Sequence, residues 1–102
     1  MAFKLVVSAA AAEDMEKVAI WYEDQRSGLG GNFLLETKKG FARIQSSPER
    51  YPIADSQKDW RFHLLPAPFR NYKIIYPLQE DKIVVLAVFH VGRDPNIWKS
   101  RA

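Results

Sequence analysis

The sequence predicts an α+β domain in which a helical hairpin packs on one face of a small, mainly antiparallel sheet, in the order β-α-α-β-β-β. Two patterns support this fold class. Apolar residues recur every three or four positions between residues 8 and 47, which is helical spacing. Between residues 60 and 89 they alternate or run continuously in three short segments, as strands do. The chain has 102 residues, and we expect 1–102 to form one domain.

The N-terminal quarter of the chain predicts a strand followed by a helix. The apolar run at residues 3–7 is short and rich in β-branched residues, which favours a strand. Ser8 is a candidate N-cap, and the acidic Glu13 and Asp14 suit the positive end of a helix dipole. The helix should end near Arg26. Its apolar face is marked by Ala11, Met15, Val18 and Tyr22.

A second helix follows a glycine-rich segment. Residues 28–31 predict a hinge between the two helices, and proline at position 48 ends the second one. Apolar positions of this helix are Leu34, Thr37, Phe41 and Ile44. Residues 48–59 are polar, hold two prolines and show no period, so we predict a loop attached to the body by Tyr51 and Ile53.

Three strands are predicted after this loop, at residues 60–65, 70–76 and 83–89, with a turn at 78–81. We expect them to form an antiparallel meander, with the first strand of the chain beside the last one or at an edge. The segment 83–89 is apolar at nearly every position, which is typical of a central strand covered on both faces. In the segment 60–65, Arg61 and His63 share a face that we expect to be the outer face of the sheet.

The C-terminal end predicts a short helical turn. Aspartate is a favoured N-cap and proline suits the first helical position, so Asp94 and Pro95 predict a turn over residues 95–99. Trp98 in that turn is expected to fold back on the body of the domain.

Several function classes are excluded by what the sequence lacks. There are no cysteines, which rules out disulfides, zinc-thiolate sites and thiol catalysis. His63 and His90 show no metal-ligand spacing, and the glycines lack the lysine of a phosphate-binding loop, so we expect no metal and no cofactor. No apolar run reaches the roughly 20 residues that cross a bilayer, and the N-terminus does not resemble a signal peptide. We therefore expect a cytoplasmic protein without a membrane partner.

Positive charge is concentrated in the C-terminal half. Residues 58–102 carry eight basic and four acidic side chains, which suits an acidic partner, either nucleic acid or an acidic protein segment. The alternative is a solvated surface with a small charge excess. Cations on a sheet surface can hold a phosphodiester, and a histidine can move a proton near neutral pH. The basic residues on the predicted strands and just after them are Arg61, His63, Arg70, Lys73, His90 and Arg93.

The segment 72–98, YKIIYPLQEDKIVVLAVFHVGRDPNIW, resembles the C-terminal signature of the RelE/ParE toxin superfamily, also called plasmid stabilisation proteins. In that family a tyrosine-rich strand leads through an acidic turn to an apolar strand, a basic residue, Asp-Pro and a tryptophan. The N-terminal half resembles it too. There the matching motifs are S-x-x-A-x-x-D-M from Ser8, the W-Y pair at Trp21, G-L-G-x-x-F from Gly28 and P-x-x-Y-P from Pro48.

The resemblance implies the toxin of a type II toxin–antitoxin system, acting in one of two ways. RelE-like members cut mRNA on the ribosome with a basic cluster and a tyrosine near the C-terminus. ParE-like members lack that cluster and inhibit DNA gyrase. This chain has no tyrosine after Tyr76, and Trp98 stands where the nuclease tyrosine is expected, which favours the ParE branch. The alternatives are a ribosome-dependent mRNA endonuclease and an inactive member that only binds antitoxin.

The basic residues on the predicted strands and just after them supply the candidate site residues, which the resemblance itself does not assign. If the chain is an endonuclease, the expected catalytic residues are Arg61, His63, Arg70 and Arg93. The residues expected to bind the target or the antitoxin are Lys73, His90 and Trp98. The expected partner is a cognate antitoxin with a partly disordered segment that orders over residues 8–47 and the sheet edge, giving a hetero-oligomer.

Overall fold

The fold is α+β, as the sequence predicts, with a helical hairpin on one face of a mostly antiparallel sheet. The computed structural model describes residues 3–55 and 58–101. In chain order the elements are β1 (Lys4–Val7), α1 (Ala9–Gln25), α2 (Leu29–Ser46), a 3-10 turn (Pro48–Arg50), β2 (Ile53–Asp55), β3 (Trp60–Leu64), β4 (Tyr72–Gln79), β5 (Lys82–Val85), β6 (Ala87–His90) and α3 (Asn96–Lys99).

Capping fixes where the hairpin begins and where it turns. Ser8 is the N-cap of α1, and its Oγ accepts a hydrogen bond from the Ala11 amide at 3.1 Å. Between the helices, Gly28 adopts a left-handed φ of +89°, which glycine adopts without steric cost. The Glu23 carboxylate accepts hydrogen bonds from the amides of Gly28 and Gly30 and so joins the end of α1 to the start of α2.

The prediction that residues 28–31 form a hinge is wrong in extent, because α2 already begins at Leu29. Gly30 lies inside the first turn of α2, against the main chain of α1. A Cβ at this position would lie 2.4 Å from the carbonyl oxygen of Ala19. The glycine therefore permits close helix packing and does not serve the turn itself.

Five of the six strands follow the order β1-β5-β4-β3-β2, and β6, which continues from β5, pairs with β4. Strand β1 pairs parallel with β5, and the other pairs are antiparallel, so the predicted meander and the predicted place of the first strand are confirmed. The predicted loop over 48–59 is wrong in part, because it contains the 3-10 turn and β2; residues 56 and 57 lie outside the described residues. Strand β2 was missed because three residues are too few to show a period. Both predicted attachments are present: Tyr51 packs on the ring of His63, and Ile53 pairs with Arg61 of β3, although its side chain is 47% exposed.

A bulge divides the final strand, which was predicted to be continuous over 83–89. Leu78 of β4 pairs with Ile83, but Ile75 pairs with Ala87, so the last strand contains one residue more than β4 between these pairs. The extra residue reverses the side-chain alternation at Leu86. The uniformly apolar sequence of this segment hides such a shift.

The sheet is covered on both faces. Ile83, Val85 and Val88 belong to the larger core beneath the helical hairpin. A smaller cluster on the other face consists of Trp60, Ile75, Leu86, Ala87, Phe89 and Trp98. Trp98 folds back on the body as predicted and is only 1% exposed. The Asp94 carboxylate accepts a hydrogen bond from the Asn96 amide at 3.0 Å and starts the helical turn that carries this tryptophan.

Candidate functional site

Arg61 is committed to structural hydrogen bonds. Its Nη1 donates to the carbonyl oxygens of Glu49 and Tyr51, each at 2.9 Å, and its Nε lies 2.9 Å from the Asp59 carboxylate. These bonds fasten the 3-10 turn and the residue after it to β3. A guanidinium held in this way has few donors left for a substrate.

His63 lies two positions after Arg61 in β3, on the same face as predicted, but that face is covered by α2 at His63 and by the 3-10 turn at Arg61. The expectation that both residues lie on an outer face is therefore wrong. The ring of His63 lies 4.5 Å from that of Tyr51, and its Nε2 is buried without a hydrogen-bond partner. Burial, assisted by the charge of Arg43, lowers the pKa of His63 below its ordinary value of 6.5, so the neutral imidazole is favoured.

The other predicted residues lie in three separate places. Arg70 is exposed in the turn before β4. Lys73 lies on the opposite face of the sheet, with its Nζ 5.2 Å from the ring centre of Phe62 and 5.9 Å from that of Trp98. His90 and Arg93 alone share a cleft. The structure thus does not bring the four residues named for cleavage into one site.

The cleft that holds His90 and Arg93 has a volume of about 350 Å³ and lies between α1 and the outer edge of β6. Asp14 and Lys17 line it from α1, and Tyr72 lines it from β4. Tyr72 and His90 are paired across the strands and make an edge-to-face contact with ring centres 5.2 Å apart. We call this cleft the edge cleft; its polar lining residues are Asp14, Lys17, Tyr72, His90, Arg93 and Arg101.

Asp14 and Arg101 close one side of the edge cleft with a bidentate ion pair. Arg101 Nη1 lies 2.7 Å from Asp14 Oδ2, and Nη2 lies 3.1 Å from Oδ1. Asp14 Oδ2 also accepts a hydrogen bond from the Val88 amide at 3.1 Å, and Arg101 donates to the carbonyl oxygen of Leu86. The pair thus satisfies polar groups on the outer edge of β6. Sequence reasoning missed it, because 87 positions separate the two residues and no local pattern connects them.

The remaining polar groups of the edge cleft are mainly hydrogen-bond donors. His90 Nδ1 accepts a hydrogen bond from the Gly92 amide at 2.9 Å, so the neutral ring carries its proton on Nε2. Burial raises the pKa of Tyr72, while the charge of Arg93 opposes that rise, and the phenol stays protonated at neutral pH. Arg93 is in no ion pair among the described residues. Such an arrangement can bind a carboxylate or phosphate oxygen.

A second surface lies on the helical hairpin and is almost wholly apolar. This hairpin groove has a volume of about 440 Å³ and runs between α1 and α2. Ile20, in the groove, is 56% exposed, and the neighbouring Trp21 is 54% exposed. Other groove residues are Ala12, Met15, Ala19, Gly30, Gly31 and Leu34, with Glu16 and Glu23 as the charged members.

Neither surface has the composition of a metal site. Within residues 3–55 and 58–101, no three histidine, aspartate or glutamate side chains are grouped so that they could hold a metal ion. Among these same residues there is no helix that is long and apolar enough to span a membrane.

A comparison with known families identifies the family of the chain. The family described as "ParE toxin of type II toxin-antitoxin system, parDE" matches residues 5–95. The chain belongs to the ParE toxin family. Family membership implies a cognate antitoxin partner. A search of curated proteins found no match.

Two solved structures share the fold of this ParE-family chain. One is a chain of the chromosomal ParDE system of P. aeruginosa, with a TM-score of 0.75 and 11% identity. The alignment covers 86% of the present chain and 95% of the P. aeruginosa chain. Another is a mutant of the E. coli toxin RelE in the free state, with a TM-score of 0.66 and 18% identity. The alignment covers 100% of the present chain and 95% of the RelE chain. At these identities the likeness is one of fold.

Proposed function

We propose that this ParE-family toxin acts in the cytoplasm, inhibits DNA gyrase and does not cut mRNA. The observation that carries this proposal is the separation of the predicted nuclease residues. Arg61 is bound to main-chain carbonyls, His63 lies beneath α2, and only Arg93 faces an open cleft. Cleavage of a phosphodiester needs donors that converge on one phosphate, which these residues do not provide.

The C-terminal tryptophan supports the same proposal. The resemblance places a nuclease tyrosine near the C-terminus, where its hydroxyl can act on substrate. Here Trp98 is 1% exposed and packs with its ring centre 5.7 Å from that of Trp60. An indole in this position stabilises the smaller core and offers no group for proton transfer.

A supercoiling assay with purified toxin and gyrase tests this proposal. We expect the toxin to block supercoiling, and expression of the toxin alone to stop growth with altered plasmid supercoiling. Unimpeded gyrase at excess toxin, or prompt loss of translation with cleaved mRNA, would reject the gyrase target. The Arg93→Gln variant examines the edge cleft, and weaker gyrase inhibition by this variant would place the target contact there.

We also propose that the cognate antitoxin neutralises the toxin by placing an amphipathic helix in the hairpin groove. Ile20, which lines the groove, is 56% exposed, and Trp21 beside the groove is 54% exposed, so two large apolar side chains on α1 remain available to a partner. A disordered segment that folds on contact can cover such a groove with apolar residues at helical spacing. The basic C-terminal half suits the acidic part of the same segment.

Two matched variants test the antitoxin site. Ile20→Glu places a charge in the groove and should weaken antitoxin binding by at least roughly 100-fold, because a buried unpaired carboxylate is costly. Leu35→Glu is the control, because Leu35 is 53% exposed on α2 but lines a different hollow near Pro68. Equal affinity of the two variants would reject this placement, while gyrase inhibition by each variant reports separately on the target.

A further inference from the structure

A third surface of the protein, at the C-terminal end of α2, is used by neither of the two sites above. It is a cleft of about 490 Å³ in which every polar side chain is a hydrogen-bond donor. Its lining consists of Ala42, Arg43, Ser46, Ser47, Arg50 and Tyr51 and contains no carboxylate. We call it the α2-end cleft.

The two arginines of the α2-end cleft are nearly free of acidic partners. Arg43 has its nearest carboxylate oxygen, on Glu36, at 3.9 Å, and that carboxylate also pairs with Lys39. Arg50 is exposed and in no ion pair among the described residues. Two full positive charges outweigh the roughly half negative charge at the end of a helix, so the cleft attracts anions.

The segment that carries Arg50 and Tyr51 is fastened to the sheet from below. The buried hydroxyl of Tyr76 donates to the carbonyl oxygen of Pro48 at 2.7 Å. Arg61 donates to the carbonyl oxygens of Glu49 and Tyr51. Three carbonyls within four residues are thus held by side chains of β3 and β4. A loop fixed in this way presents its donors with little loss of conformational entropy on binding.

The donor set matches a phosphate group. Guanidinium groups form paired hydrogen bonds with phosphate oxygens, and serine and tyrosine hydroxyls supply single donors to the remaining oxygens. The side-chain hydroxyls of Ser46, Ser47 and Tyr51 take part in no hydrogen bond within the described part of the chain. They are therefore available to a ligand at no cost in existing bonds.

We propose that the α2-end cleft binds a phosphate group. The phosphate lies between Arg43 and Arg50, with Ser46, Ser47 and Tyr51 as the hydroxyl donors. The same chemistry is offered by a free nucleotide and by the backbone of a single-stranded nucleic acid. Its lining residues belong to neither the edge cleft nor the hairpin groove.

Titration of the full chain with inorganic phosphate, adenosine monophosphate and a single-stranded oligonucleotide, followed by NMR and fluorescence anisotropy, tests the proposal. All three probes should shift resonances of residues 42–51. Arg50→Gln should weaken binding about 10-fold, the usual cost of one charge-assisted hydrogen bond. For the oligonucleotide, it should also reduce the dependence on salt concentration by a slope of about 0.7.

Arg26→Gln is the matched control, because Arg26 is also exposed and lies beyond the opposite end of α2, roughly 25 Å away by helix length. Unchanged binding by this variant supports the proposal. Tighter binding of the oligonucleotide than of the mononucleotide identifies a nucleic-acid chain as the source, and equal binding identifies a single nucleotide. The absence of binding by all three probes, or equal weakening by both variants, would overturn it. Antitoxin binding by Arg50→Gln verifies that the variant is folded.

Discussion

The close contact of Gly30 with the main chain of α1 makes it a position where one methyl group has a clear cost. In Gly30→Ala the new Cβ would lie 2.4 Å from the carbonyl oxygen of Ala19 and 3.1 Å from Cβ of Glu23. The first neighbour is main chain and cannot rotate away. Real Cβ atoms essentially never lie closer than 3.0 Å to such an atom, so the helices would have to separate by at least about 0.6 Å.

The magnitude follows from two opposing effects. Alanine improves helix propensity by up to about 1 kcal/mol over glycine. Forcing a methyl group into a packed interface costs about 1–3 kcal/mol, and the separation also weakens the hydrogen bond from the Gly30 amide to Glu23. We expect a net loss of about 1–2 kcal/mol in the free energy of unfolding.

Gly31→Ala is the control for this prediction, because a Cβ at the next position would meet nothing within 4 Å. This variant gains the propensity without the clash and should be about 0.5–1 kcal/mol more stable than the parent. In thermal unfolding the two variants should differ by roughly 7–15 °C in Tm. If Gly30→Ala were as stable as Gly31→Ala, the inference that the helix contact requires glycine would be refuted.

Three further predictions concern other interior contacts. Tyr76→Phe removes the hydrogen bond to Pro48 and leaves a buried carbonyl unpaired, so urea unfolding should show a loss of about 1–2 kcal/mol. Because the pKa of His63 is lower in the folded protein, the unfolded chain takes up a proton on this residue at a higher pH than the folded protein does. The free energy of unfolding should therefore fall as pH drops below 6.5, and His63→Leu should remove that dependence. Arg101→Gln breaks the pair with Asp14 and should cost about 1 kcal/mol and speed hydrogen exchange at the Val88 amide.

Each of these three has a clear contrary result. Unfolding of Tyr76→Phe at the parental urea concentration would show that water replaces the lost donor. A decline in stability between pH 7 and 5 that persists in His63→Leu, or that disappears when His90 is replaced instead, would assign the titration elsewhere. Unchanged exchange at Val88 in Arg101→Gln would show that Asp14 holds the amide without its cation.

Much of the fold could be predicted from local patterns. The helices, their N-cap at Ser8 and the burial of Trp98 follow from apolar spacing and capping chemistry, which act over a few residues. Strand β2 could not be predicted, because three residues in a polar, proline-containing segment carry no period. The bulge at Leu86 could not be predicted either, because apolar side chains suit both faces of a sheet that is covered on both sides.

The candidate site was harder to predict than the fold, since it depends on which face of the sheet the helices cover. Alternation placed Arg61 and His63 on the same face, but it cannot tell whether that face meets solvent or α2. The edge cleft joins α1, β4 and the C-terminal end of the chain, and contacts so distant in sequence leave no local signature. Of the residues that line it, the sequence predicts only His90 and Arg93, which are close in sequence, as site residues.

The bulge at Leu86 makes the edge cleft a matter of strand pairing as well as of composition. Val85 and Val88 both face the helical hairpin, although two residues separate them, because Leu86 and Ala87 both face the opposite side of the sheet. If the same sequence paired with β4 without the bulge, Phe89 would lie opposite Tyr72 and the imidazole of His90 would turn toward the face that holds Trp98. Deletion of Leu86 would instead leave a regular ladder in which His90 still lies beside Tyr72, so the cleft tolerates the loss of the bulge residue but not a one-residue shift of the strand.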